Sequence, residues 1–223
     1  MTNQNNTTPK PPRFDSVIFD LDGTMWDASA SITRAFQVAK SSVDYVDDEV
    51  TLAQVRAVTG QPYETVYERL FPNLPADKFD EYRVLCARQE LAAARQYGGQ
   101  LYPDLEATLR LLRSQGYRLF IVSNCQEGYV EAFFAHSQLE HYFEGYQCFG
   151  TKRQPKAENI RDVVGQYGLR APVYVGDTRG DLDASQAAGV PFIFATYGFG
   201  RLSAAEAPVR LDRLSELPGR LAR

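Results

Sequence analysis

The stretch Asp20-Leu21-Asp22-Gly23-Thr24 sets two carboxylates one residue apart, directly after the apolar run Ser16-Val17-Ile18-Phe19. A run that short, ended by a glycine turn, reads as a buried parallel strand. Both acids then sit in the loop where that strand ends, and ligands bind outside the carboxyl ends of strands in open α/β sheets. Burying one unpaired carboxylate is costly, so two together ask for a cation or a chemical task. Gly23 allows a tight turn, while Thr24 offers a hydroxyl and a backbone N–H to an anion. The same residues also describe a plain acidic turn, and the stretch alone leaves both readings open.

Three further motifs follow in order. Arg118-Leu119-Phe120-Ile121-Val122 is an apolar run ending in Ser123-Asn124, and Val173-Tyr174-Val175 ends in Gly176-Asp177, with Asp181 four residues on. Between them, Pro155-Lys156 precedes the helix-like Ala157-Glu158-Asn159-Ile160. This ordered set resembles the haloacid dehalogenase superfamily, and most closely its phosphatase branch with a small helical (C1-type) cap, similar to phosphoglycolate phosphatases. The likeness runs from Phe14 to the C-terminus. It implies that Asp20 is the nucleophile, forming an aspartyl-phosphate, and that Asp22 is the general acid and base. Leu21 and Asp22 match the phosphatase and phosphomutase pattern, so dehalogenation is not expected.

If the motifs converge, two carboxylates about 4 Å apart repel by ~4 kcal/mol at an effective dielectric near 20. A hard divalent ion relieves that, and Mg²⁺ favours oxygen ligands of this kind. The expected ligands are the Asp20 and Asp177 side chains and the Asp22 backbone carbonyl, with Asp181 completing or orienting the shell. Each acid also suits a helix N-cap, Asp181 most of all. Gly23, Thr24, Ser123, Asn124 and Lys156 are the expected phosphate-binding residues. Ser123 and Asn124 equally suit a helix start, and Lys152 competes with Lys156 as the motif lysine. Gly60 and Gln61, in the turn Thr59-Gly60-Gln61-Pro62, are candidates for substrate selection. Arg56 and Arg69 flank that turn, either as partners for a second anionic group or, the reading favoured for each, as plain exposed helical arginines.

The elements that must position these residues are an α/β core and a helical insertion. Residues 14–26 and 100–223 alternate strands and helices, predicting a Rossmann-like parallel sheet with helices on both faces. Helices are expected at 104–115, 126–139, 157–167 and 181–188, and strands at 118–122, 146–149, 173–176 and 192–195. Residues 27–99 show only helical periodicity, as at Ile32, Ala35, Phe36 and Ala39, and form the expected cap. Residues 1–13, rich in Asn, Thr and Pro, are expected to be a disordered tail.

With 223 residues and 44% apolar content, the chain has the length for a substantial core. A net charge of -4 argues against nucleic acid or an anionic membrane as partner. No apolar stretch approaches the roughly 20 residues of a membrane span, and no signal core precedes Phe14. Three widely spaced cysteines fit reduced thiols and a cytoplasmic location. The sequence therefore suggests a Mg²⁺-dependent phosphatase acting on a small phosphomonoester, phosphoglycolate-like or a sugar phosphate, as a monomer or homodimer. The alternatives are a phosphosugar mutase of the β-phosphoglucomutase kind and an inactive binding protein on the same fold.

Overall fold

The computed structural model describes residues 14–221, and the expected tail 1–13 lies outside the described residues. Eight strands are formed: β1 (Ser16–Phe19), β2 (Trp26–Asp27), β3 (Gln100–Leu101), β4 (Arg118–Ser123), β5 (Gly145–Cys148), β6 (Pro172–Gly176), β7 (Phe192–Ala195) and β8 (Arg210–Leu211). Six make one parallel sheet in the order β5-β4-β1-β6-β7-β8, and β2 pairs antiparallel with β3 in a separate ribbon. The chain leaves β1 to build one half of the sheet, then returns past it to build the other. The reversal falls between β1 and β6, the strands that carry Asp20 and Asp177.

All four β1 residues are buried, as expected of a strand covered on both faces. Val17 and Phe19 join Leu119, Ile121, Val173 and Val175 in the larger core, which packs on α5 (Leu105–Ser114) and α6 (Tyr129–Ser137). Ile18, Phe120, Val122 and Tyr174 face the other way, towards α8 (Lys156–Tyr167) and α9 (Arg179–Ala188). The alternation follows from the two-residue period of a strand. Two short helices complete this part, α7 (Phe149–Lys152) and α10 (Leu217–Leu221).

The insertion contains α1 (Ser29–Ser41), α2 (Leu52–Val58), α3 (Tyr63–Leu70) and α4 (Phe79–Tyr97). It has its own core, in which Phe36, Tyr67, Phe71 and Tyr82 stack edge-on. α1 and α4 are the two helices that enter and leave it, and the β2–β3 ribbon ties their outer ends together. That ribbon is absent from the sequence expectation, because two-residue strands carry no periodicity. Two helices start later than expected for a backbone reason. Asp104 (φ 63°) and Gly128 (φ 86°) precede α5 and α6 in the left-handed region, which helical residues do not occupy. α9 starts two residues early because the Thr178 hydroxyl accepts from the Asp181 N–H and caps it. Among the described residues no helix is long and apolar enough to cross a membrane.

Phe120 is fully buried where the central sheet meets α8, so Phe120→Ala should cost about 3–5 kcal/mol in urea unfolding. Val84→Ala, on the exposed face of α4, should stay within about 0.5 kcal/mol.

Candidate active site

Asp20 leaves the end of β1 with its backbone N–H donated to the Val175 carbonyl at 2.8 Å, which registers it against β6. Asp177 leaves the end of β6, and Asp181 lies in the first turn of α9. Oxygens of these three buried carboxylates lie within 4.8 Å of one another. The sheet thus joins residues more than 150 positions apart, because neighbouring parallel strands end at the same edge.

One cation answers them directly. Lys156, buried at the start of α8, sets its Nζ 2.8 Å from Asp20 Oδ1 and 2.6 Å from Asp181 Oδ1. Burial opposes the ammonium charge, but Asp181 and Asp20 together hold it protonated beyond the usual lysine range. Lys152, the competing candidate, instead pairs with Asp162 in an exposed bridge at 2.6 Å.

Asp177 is held by a tight seat. Its Oδ1 accepts from the Thr24 hydroxyl at 3.2 Å and its Oδ2 from the Phe199 N–H at 2.7 Å. Cβ atoms placed on Gly23 and Gly198 would lie 2.3 and 2.4 Å from its carboxylate, so both positions exclude side chains. Burial, with the charges of Asp181 and Asp20, pushes Asp177 well above the ordinary carboxylate range. Burial and the Asp181 charge raise Asp20 to about 7, against the pull of Lys156. Three carboxylates facing one ammonium leave the cluster short of positive charge. Hard oxygen donors at this spacing suit a divalent ion such as Mg²⁺.

Asp181 is already committed. Its Oδ2 accepts from the Asp177 and Thr178 backbone N–H groups and the Thr178 hydroxyl, and its Oδ1 from Lys156 and Tyr174. With five donors on one carboxylate, Asp181 anchors Lys156 and α9, and Asp20 and Asp177 keep more capacity for an ion.

Asp22 has a different environment. Its carboxyl faces the cavity beneath the insertion and accepts from the Tyr129 hydroxyl at 2.9 Å. Burial and the Asp20 charge raise it to about 7, so it exchanges a proton near neutrality. Ser123 and Asn124, at the end of β4, line the same cavity.

Other expected phosphate donors are used within the fold. The Gly23 N–H goes to the Trp26 carbonyl and the Thr24 N–H to the Leu21 carbonyl, which closes the turn that follows Asp22. The Thr24 hydroxyl holds Asp177, so these two residues shape the acidic loop and present none of these donors to the cavity. Asn124 donates its side-chain amide to the Gly60 carbonyl at 3.1 Å. Gly60 itself (φ 83°) has no room for a Cβ, which would fall 2.7 Å from Thr178. The Gly60-Gln61 turn therefore closes on the core between Asn124 and Thr178.

The cavity, about 100 Å³, runs from Asp20 and Asp22 into the insertion. Its inner wall carries Glu90, whose carboxylate accepts from the Tyr67 hydroxyl at 2.7 Å. Burial raises Glu90 to about 7 despite that bond. Arg56 and Arg69 do not line the cavity: Arg56 bonds Asp27 at 2.5 Å, and Arg69 is exposed on α3. Tyr129, Phe199, Gly198 and Glu90 escaped sequence reasoning. The two glycines of Gly198-Phe199-Gly200 after β7 are a visible signal that a backbone passes close to something. Glu90 sits in an ordinary helical charge pattern and gives none.

An acidic, ion-competent centre at the reversal point of a doubly wound sheet, beneath a helical insertion, defines an α/β enzyme of the hydrolase type. Residues 17–195 match the family model for haloacid dehalogenase-like hydrolases, and the chain belongs to that family, in its phosphatase branch. It is 32% identical over 194 residues to a phosphoglycolate phosphatase of Aliivibrio fischeri, covering 82% of this chain and 84% of that one. It is 27% identical over 197 residues to a 5'-nucleotidase of Pseudomonas aeruginosa, covering 84% and 85%. The crystal structure of a predicted phosphoglycolate phosphatase from Haemophilus somnus shares the fold with a TM-score of 0.82 at 20% identity, over 95% of this chain and 99% of that one.

Lys156→Met should cost about 3–5 kcal/mol in urea unfolding, since it strands two buried carboxylates. Lys152→Met, losing an exposed pair, should cost about 0–1 kcal/mol. Glu90 makes a pH-dependent contribution. Its folded value is raised, so between pH 4.5 and about 7 the native state holds a proton that the unfolded chain releases. Stability falls across that window and stays lower above it. Glu90→Gln should therefore raise the melting temperature at pH 8 by up to roughly 7–14 °C relative to its effect at pH 4.5, which differential scanning calorimetry can read.

Proposed function

We propose that this enzyme is a Mg²⁺-dependent phosphatase that hydrolyses a small phosphomonoester through an aspartyl-phosphate on Asp20. The observation that carries this is the divergence of two acids one residue apart. Asp20 belongs to the buried carboxylate cluster and is paired with the Lys156 ammonium, while Asp22 faces the cavity on the Tyr129 hydroxyl. The two surroundings suit different roles, a cation-paired nucleophile and a proton carrier beside the leaving group.

Asp20 and Asp177 would hold the Mg²⁺, with the Asp22 backbone carbonyl. When bound, the ion supplies positive charge to the carboxylates and to the phosphoryl oxygens. A carboxylate oxygen of Asp20 attacks phosphorus, and the bond from phosphorus to the ester oxygen breaks. Protonated Asp22 gives its proton to that leaving oxygen. The same carboxylate, now ionised, takes a proton from the water that attacks the aspartyl-phosphate, releasing phosphate and restoring Asp20. Lys156 keeps Asp20 aimed and opposes charge building on the transferring group. Ser123 supplies a hydroxyl beside it. The Gly60-Gln61 turn, latched by Asn124, closes the cavity and restricts water. Cys86, Cys125 and Cys148 are all free thiols, which supports a cytoplasmic setting.

Purified enzyme should release phosphate and free alcohol from p-nitrophenyl phosphate and small metabolite esters in Mg²⁺, and stop in chelator. Asp20→Asn should lower kcat by at least about 10³-fold in a protein that remains folded by circular dichroism. Turnover retained by that variant would remove Asp20 from its role.

A further inference from the structure

The cavity that receives the leaving alcohol has an unusual charge pattern for a site of this reading. Among its described lining residues the charged side chains are Asp20, Asp22 and Glu90, all acidic. Lys156 is spent on Asp20 and Asp181, at the phosphoryl end. The nearest expected partner for a second anion, Arg56, is bonded to Asp27 and lies over the Phe199 ring, outside the lining. Ile32, Phe36, Val55 and Val58 from α1 and α2 make its apolar side. Thr59, Gln61, Ser123, Asn124 and Gln126 add uncharged polar groups, of which the Asn124 and Gln126 amides already donate to the Gly60 and Ala87 carbonyls. The Tyr67–Glu90 pair and Ser29 stand on the insertion's side. The Ser29 hydroxyl is buried and bonds no protein group among the described residues, so it is open to a hydroxyl on a ligand.

We infer that this cavity takes the phosphate ester of a small, uncharged alcohol bearing a further hydroxyl, and rejects esters whose alcohol carries a carboxylate or a second phosphate. Glu90 is the residue that decides. Its carboxylate accepts a hydrogen bond from a ligand hydroxyl, and Ser29 offers a second polar contact across the pocket. A ligand carboxylate would instead meet an acidic, largely apolar wall with no described cation to pair with it. The inference rests on the phosphatase reading and narrows it: sugar- or polyol-like esters fit, and phosphoglycolate does not. The relatives named for phosphoglycolate therefore differ from this chain in the alcohol they accept.

The test compares a matched pair that differs at one carbon, 2-hydroxyethyl phosphate and 2-phosphoglycolate, in Mg²⁺ at pH 8, with p-nitrophenyl phosphate alongside. Wild-type kcat/KM should favour the hydroxyethyl ester by at least tenfold. Glu90→Gln, which removes the charge and keeps the size and the acceptor for Tyr67, should shrink that preference at least fivefold by improving phosphoglycolate turnover. Equal or better use of phosphoglycolate by the wild type overturns the inference, as does a preference that Glu90→Gln leaves unchanged. Cleavage of p-nitrophenyl phosphate with neither small ester turned over also overturns it, while the phosphatase reading stands. Failure on all three substrates overturns that reading instead, and the inference with it.

Discussion

Too little positive charge for too many buried acids is the constraint around which this molecule is arranged. Asp20, Asp177 and Asp181 converge out of water, and one ammonium, that of Lys156, sits among them. Each carboxylate in such a place is driven towards its protonated form unless a cation offsets burial. The chain meets part of the demand with fixed donors, five of them on Asp181 alone. The part left over, at Asp20 and Asp177, is what makes the site receptive to a divalent ion and, through it, to a phosphate.

The fold serves that arrangement in a specific way. β1 is central, buried on both faces, and flanked by β4 and β6, so three strand ends deliver Asp20, Ser123 and Asp177 to one edge. Glycine then provides the clearance that side chains would deny. Gly23 and Gly198 close on Asp177 from two directions, and Gly60 brings the cap turn against Thr178. The insertion carries a core of its own, which frees α1 and α4 to present Glu90, Ser29 and an apolar wall towards the reacting end without dismantling the sheet.

Much of this was legible in the residues. The acid-x-acid-Gly-Thr run, the Ser-Asn and Gly-Asp strand ends and the helix-start lysine named the cluster in order. Strand and helix alternation after residue 100 gave the parallel sheet, since buried parallel strands read as short apolar runs. What escaped has physical reasons. The two-residue strands β2 and β3 have no period to detect. Late helix starts at α5 and α6 depend on left-handed residues, one of them an aspartate that sequence alone would assign as a cap. Donors expected at Gly23 and Thr24 turned inward because a tight turn consumes its own N–H groups. Glu90 was invisible because a helical glutamate looks solvated until a neighbouring helix buries it.

On this proposal residues 20 and 177 share one metal ion while Lys156 remains between residues 20 and 181. Anomalous diffraction from crystals soaked in Mn²⁺, a stand-in for Mg²⁺, tests it most directly. We expect one peak bonded to an oxygen of Asp20 and an oxygen of Asp177, with the lysine still in place. A peak that contacts neither carboxylate, or no peak at saturating Mn²⁺, would contradict the account.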